Sequence, residues 1–188
     1  MRAISSSTQH PEAGRRIHKR IFEAVLFAML GTLMFLGDLL MELFPNVHLV
    51  GVLCVTYAVV FRFRALIPIY IYVMLNGLYA GFSLWWVPYT YVWAILWGMA
   101  MLIPPRLPGR VRCVIYPIVA ALHGFAFGVL YSPAQALMFG LDWQGMLAWI
   151  ASGLYFDIIH GISNFALGFL VLPLSELLKR LLRSARVL

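Results

Sequence analysis

From Ala65 to Pro105 the chain carries no Asp, Glu, Lys, Arg or His. An uncharged apolar interval of that length suits a deeply buried core or a lipid bilayer, and the basic residues decide between them. The 14 Lys and Arg residues fall in four clusters. These are Arg2 with Arg15, Arg16, Lys19 and Arg20; Arg62 with Arg64; Arg106, Arg110 and Arg112; and Lys179, Arg180, Arg183 and Arg186. Residues 21–61, 65–105 and 113–178 lie between the clusters and hold no basic residue. One crossing needs about 20 apolar residues, so each interval accommodates two crossings and a short turn. Basic residues are retained on the cytoplasmic side. The pattern predicts an all-α, polytopic membrane protein with six transmembrane helices and both termini inside.

Composition agrees, at 63% hydrophobic and 11% charged residues. Six crossings use about 120 residues, which leaves no room for a soluble catalytic domain. The net charge of +7 follows the connections rather than one folded surface. It therefore holds cytoplasmic loops against anionic lipid and does not mark a nucleic-acid partner. The first apolar run follows a basic segment, as in a secretory signal, but it extends to Phe44, carries Asp38 and Glu42, and lacks a small-residue cleavage pattern. It reads as a retained first helix. Cys54 and Cys113 fall at different depths and lack metal-ligand spacing, so neither a disulfide nor a zinc site is expected.

Three regions follow. Residues 1–20 form a basic cytoplasmic leader, polar and unstructured through residue 16. Residues 21–172 form the transmembrane domain, and residues 173–188 a cytoplasmic tail. The predicted helices are Ile21–Phe44, Val47–Phe61, Ala65–Leu84, Pro88–Ile103, Cys113–Tyr131 and Gln144–Leu172. Pro45 and Asn46 make the first outer turn, and Ser132–Trp143 the longest outer segment. Pro104, Pro105, Pro108 and Gly109 break the chain in a basic inner loop. In the tail, Leu174, Leu177, Leu178 and Leu181 oppose Lys179, Arg180 and Arg183, an amphipathic helix capped near Ser175 and suited to the inner membrane surface.

Helices in lipid associate through close packing, so small residues four apart mark contact faces. Ala24 with Ala28, Gly77 with Gly81 and Gly124 with Gly128 are such pairs. The stretch Ala24-Val-Leu-Phe-Ala28 lies in the cytoplasmic half of the first helix of a short six-helix chain. On that motif and architecture the chain resembles the substrate-binding S component of bacterial energy-coupling-factor (ECF) vitamin transporters. The run from Phe27 through Gly81, including DLLMELFPNVHLVG and PIYIYVMLNGLYAGFSLWW, has the look of that family. The resemblance implies a bacterial plasma membrane protein that binds a small vitamin-like or heterocyclic metabolite in its outer half. Ala24 and Ala28 would dock on a transmembrane coupling subunit, and two cytoplasmic ATPases would supply energy. The chain has no G-x-x-x-x-G-K-[ST] phosphate loop, so ATP hydrolysis falls to those partners. No cofactor is implied.

Candidate binding residues come from depth and chemistry. Asp38 and Glu42 stand one turn apart on one helix face. Carboxylates at the outer mouth favour a cation or a hydrogen-bond-donating heterocycle, and inside a bilayer they are costly unless paired or facing a cavity. The alternative is that they reach headgroup water. Trp85, Trp86, Tyr89, Tyr91, Trp93, Tyr131 and Trp143 crowd the same level, as interfacial belt residues do. Trp85 and Trp143 are chosen as stacking partners because their loops adjoin the helices that line the pocket in the family. Asn76 is a further polar candidate. Deeper lie His123, Asp157, His160 and Asn164; the last three share one helix stripe. They read as a structural network in which Asp157 pairs with a histidine, as the pocket floor, or as a proton relay.

Three other classes compete, one of them a purely structural or assembly membrane protein. An intramembrane enzyme would need converging groups, whereas Ser163 projects away from the Asp157–Asn164 stripe. A self-contained proton-coupled secondary transporter or channel would show repeated halves and broken helices, and the sequence displays neither.

Overall fold

The computed structural model describes residues 9–43 and 47–185, and the side chains among them other than those of residues 9–13 and 15. The polar stretch before Gln9, the turn at Phe44, Pro45 and Asn46, and Arg186 lie outside the described residues. Eight helices are present among those described: α1 Gln9–Met41, α2 Val50–Phe61, α3 Leu66–Ala80, α4 Tyr89–Met101, α5 Gly109–Phe125, α6 Phe127–Phe139, α7 Trp143–Gly168 and α8 Val171–Ser184. Four stretches are long and apolar enough to cross a membrane: Arg16–Met41, Val50–Ala80, Gly109–Phe139 and Trp143–Gly168.

Side-chain pairs give the helix directions. Phe27 meets Phe61 and the Tyr57 hydroxyl donates to the Leu30 carbonyl, so α1 and α2 are antiparallel. Arg64 bonds Glu23 and Phe35 packs on Tyr79, so α3 runs parallel to α1. The Val50–Ala80 stretch therefore reverses within itself. The turn is at Arg62, whose φ of 56° lies in the left-handed region that a non-glycine residue rarely adopts. Two bonds to α4 hold it there: the Trp97 indole donates to the Arg62 carbonyl, and the Arg62 guanidinium to the Met101 carbonyl. The legs either side of it are short, 12 residues for α2 and 15 for α3.

α5 and α6 form one leg with a break at Ala126, antiparallel to α7. Glycines make that packing possible. A Cβ on Gly124 would sit 2.9 Å from the Gly161 backbone, and one on Gly168 would reach 2.5 Å from Pro117. The Gly124–Gly128 pair is thus an internal contact face. Gly77 is also packed, against Phe82 and Trp86, but Gly81 has φ 88° and ends α3, so that pair is a packing site plus a stop signal. Ala24 and Ala28 are exposed and contribute nothing to the bundle core.

Elsewhere α1 at its start and the α5–α6 leg outrun the sequence-based bounds, whereas α2, α3 and α4 are shorter than expected. α1 extends back to Gln9, through leader residues expected to be unstructured; Ala, Glu, Arg and Lys there sustain a helix, and Pro11 falls in its first turn, where it is tolerated. The expected outer loop at 132–143 is helical as far as Phe139. Gly140 ends α6 at φ 65°, and the Asp142 carboxylate accepts from the Gly145 N–H to cap α7. Ser175 is not a cap, because its hydroxyl donates to the Val171 carbonyl inside α8. α8 packs on the bundle: Val171 and Leu182 are buried while Leu177 and Leu181 face outward.

Apolar side chains cover the outside. Leu102, Leu137, Leu40 and Leu78 are each more than two-thirds exposed. Inside sit His123, Asp157, His160 and Asn164, all buried. An apolar exterior around a polar interior is the arrangement of a helical protein embedded in a membrane.

Candidate functional site

A cavity of about 490 Å³ opens at the end of the bundle opposite the Arg62 turn. Its wall draws on nearly every leg: Asp38 from α1, His48 from the connection to α2, Tyr72 from α3, Tyr89 and Trp93 from α4, Phe127 and Tyr131 from α6, and Trp149, Asp157 and His160 from α7. A volume of this size admits a small organic molecule.

One pole of the cavity is the Asp38 carboxylate. The Tyr72 hydroxyl donates to its Oδ2 at 2.8 Å, and the Asn76 amide reaches the same oxygen at 3.4 Å. His48 Nδ1 lies 3.0 Å from Oδ1, a close contact whose angles fall short of an aligned hydrogen bond. Two segments, α3 and the connection before α2, thus surround one carboxylate, which keeps acceptor capacity toward the cavity.

The other pole is Asp157. Its two oxygens both accept from the Gly128 N–H, each at 3.1 Å. In an unbroken helix that N–H would bond the carbonyl four residues earlier. The break at Ala126 redirects it, and Asp157 caps the first turn of α6 from the neighbouring helix, where a carboxylate also meets the positive end of the helix dipole. The expected pairing of Asp157 with a histidine is not seen among the described residues: its carboxylate accepts from the Gly128 N–H, and His123 Nε2 contacts the Val92 carbonyl at 3.1 Å.

Aromatic rings join the poles. Trp93 lies 5.8 Å from Tyr89 and 6.0 Å from Phe127, and Tyr131 stacks on Trp149 at 5.7 Å and 12°. His160 packs 5.0 Å from Phe127 and 6.0 Å from His48, and its Nε2 is buried without a hydrogen-bond partner among the described residues. The lining includes no Lys or Arg. Acceptors at two poles and π faces between them suit a flat ligand that carries positive charge or N–H donors.

Of the residues singled out from sequence, Asp38, Asp157 and His160 line this cavity, and Asn76 braces Asp38. His123 sits behind the wall, 5.8 Å from Trp93. Asn164 is one turn deeper than His160, where its amide donates to the Ala120 carbonyl and its side chain fills the gap between Gly51 and Gly124. Glu42 is exposed beyond the end of α1. Trp143 is 68% exposed at the start of α7, and Trp85 supports the rim through its carbonyl, which accepts from the Tyr131 hydroxyl. Neither tryptophan is in the wall: the Trp143 ring is exposed, and the Trp85 ring packs edge-on behind Tyr89 at 5.5 Å. Trp93, Phe127, Tyr131 and Trp149 form it instead, together with His48 and Tyr72, which spacing alone does not single out.

Comparison of the chain with protein-family models, with curated proteins and with solved structures finds no match.

Proposed function

We propose that the chain is the membrane-embedded substrate-binding subunit of an ATP-driven importer of the energy-coupling-factor type, with six crossings and both termini in the cytoplasm of a bacterium. The observation that carries this reading is the cavity at the arginine-free end, with Asp38 at one pole, Asp157 at the other and aromatic faces between. Its position fits capture from the outside once the basic clusters are assigned to the inside. Its lining fits a flat, vitamin-like heterocycle with a cationic or N–H-bearing edge at Asp38. The exposed Ala24 and Ala28 support docking on a coupling subunit, since small residues let another helix approach closely. The short legs α2 and α4 cross within the bundle, where neighbouring helices rather than lipid surround them.

The test is mass spectrometry of small molecules released from protein purified after growth in rich medium. The expected result is a stoichiometric nitrogen heterocycle that is lost in Asp38→Asn. A protein that releases none, and binds none from a panel of heterocyclic vitamins, would refute the reading.

A second reading, a self-contained proton-coupled transporter, draws on the Asp38–His48–His160 series in one cavity and on the broken α5–α6 leg. Uptake by the chain alone in proteoliposomes, driven by a pH gradient, would establish it in place of the first.

A further inference from the structure

At the opposite end of the bundle, Arg62, Arg112 and Lys179 converge on a small recess floored by Val59, Ala100, Ile103 and Tyr116. The three cations come from three elements far apart in the chain: the turn after α2, the start of α5 and the middle of α8. Two are held in place. Arg62 is fixed by its strained turn and its bond to the Met101 carbonyl at 3.3 Å. Lys179 bonds Glu176 at 3.2 Å on the rim, the one carboxylate beside the recess in contact with a lining cation. The third is unsatisfied: Arg112 Nε is buried without a hydrogen-bond partner among the described residues. A buried guanidinium N–H left unpaired is costly, and an anion supplies the missing acceptor.

The recess measures about 40 Å³, enough for roughly three water-sized groups. That is the bulk of a phosphate's free oxygens and too little for a ring system. Next to it the surface turns apolar, with Phe63 71% and Leu102 82% exposed. We infer that Arg62, Arg112 and Lys179 form a phosphate-group site at the arginine-rich end of the bundle. A phospholipid headgroup with its acyl chains along Phe63 and Leu102, or a free phosphate, would supply the group. Basic pockets between helices at a membrane face bind anionic headgroups in this way. The site is independent of the cavity and of what that cavity binds.

Native mass spectrometry of the detergent-purified protein, titrated with phosphatidylglycerol, phosphatidylcholine or inorganic phosphate, tests the inference. The expected result is one retained phosphate-bearing species per chain, weakened about 30-fold in Arg112→Gln/Lys179→Gln, from two basic groups removed near an anion. Preference for phosphatidylglycerol would identify a lipid source; saturation by inorganic phosphate, with no effect of lipid, would identify a free one. Lys179→Gln alone, at the partly buried rim, is expected to weaken binding about fivefold and serves if the double variant does not fold. Equal binding of all three probes to the wild type and to Lys179→Gln, or none to either, would overturn the assignment.

Discussion

Substitution of Gly128 by Ala tests the break between α5 and α6 directly. A Cβ at this position would overlap the Asp157 carboxylate, which cannot retreat without releasing the Gly128 N–H. Overpacking costs about 1–3 kcal/mol and a buried unpaired N–H about 1–3 kcal/mol. Their non-additive combination is set at about 3 kcal/mol. At about 2–4 °C per kcal/mol for a chain of this size, Tm falls by about 6–12 °C. Gly153 provides the control on the same pair of helices. Nothing lies within 4 Å of a Cβ there, so Gly153→Ala gains helix propensity and raises Tm by about 1–4 °C. The double variant Gly128→Ala/Asp157→Ala removes the overlapping group, so its loss is smaller than the sum of the two single losses by about 1–2 kcal/mol. Thermal unfolding followed by tryptophan fluorescence in detergent compares the wild type with Gly128→Ala, Gly153→Ala, Asp157→Ala and the double variant. Equal stability of Gly128→Ala and Gly153→Ala, or strict additivity in the double variant, would refute the capping argument.

Three further outcomes are expected. Tyr72→Phe removes one donor to Asp38 and is expected to change ligand affinity less than Asp38→Asn, which weakens a cationic ligand about 10–100-fold; isothermal titration with the released molecule checks the order. Asp142→Ala removes the α7 cap and lowers Tm by about 2–4 °C, readable in the same melting assay. Glu23→Gln breaks an ion pair whose Arg64 partner is 54% exposed, so Tm moves by less than about 3 °C; a larger drop would mean that the pair is desolvated.

The helical legs were legible because lipid admits few alternatives: apolar intervals bounded by arginines can only be crossings or buried helices. Gly124 and Gly128 could be read as a contact face from spacing, and Asp157, His160 and Asn164 as one stripe. Their partners could not. His48 faces Asp38 only after α1 and α2 fold back on each other, and nothing local distinguishes it from an interfacial histidine. Tyr72 looks like any tyrosine in an apolar helix until α3 is laid parallel to α1. The break at Ala126 has no proline to announce it; what identifies it is a carboxylate on another helix. Trp85 and Trp143 are singled out because their loops adjoin helices expected to line a pocket, but a neighbouring loop does not specify where a ring points. Ala24 and Ala28 show the same limit, since a small-residue pair says that something packs closely without saying whether it belongs to the same chain.

The cavity wall takes Asp38 from the first helix and Asp157 and His160 from the last long one. During synthesis the N-terminal helices enter the bilayer before α7 exists, so for much of that time Asp38 has Tyr72, Asn76 and His48 as its companions and no opposite pole. The cavity wall is complete only once α7 is in place, with α8 alone still to follow. A nascent chain stalled before Trp143 would keep the Asp38 brace yet lack the wall that Trp149, Asp157 and His160 supply. On the proposed reading, a ligand that bridges Asp38 and Asp157 would favour the docked position of α7 by mass action.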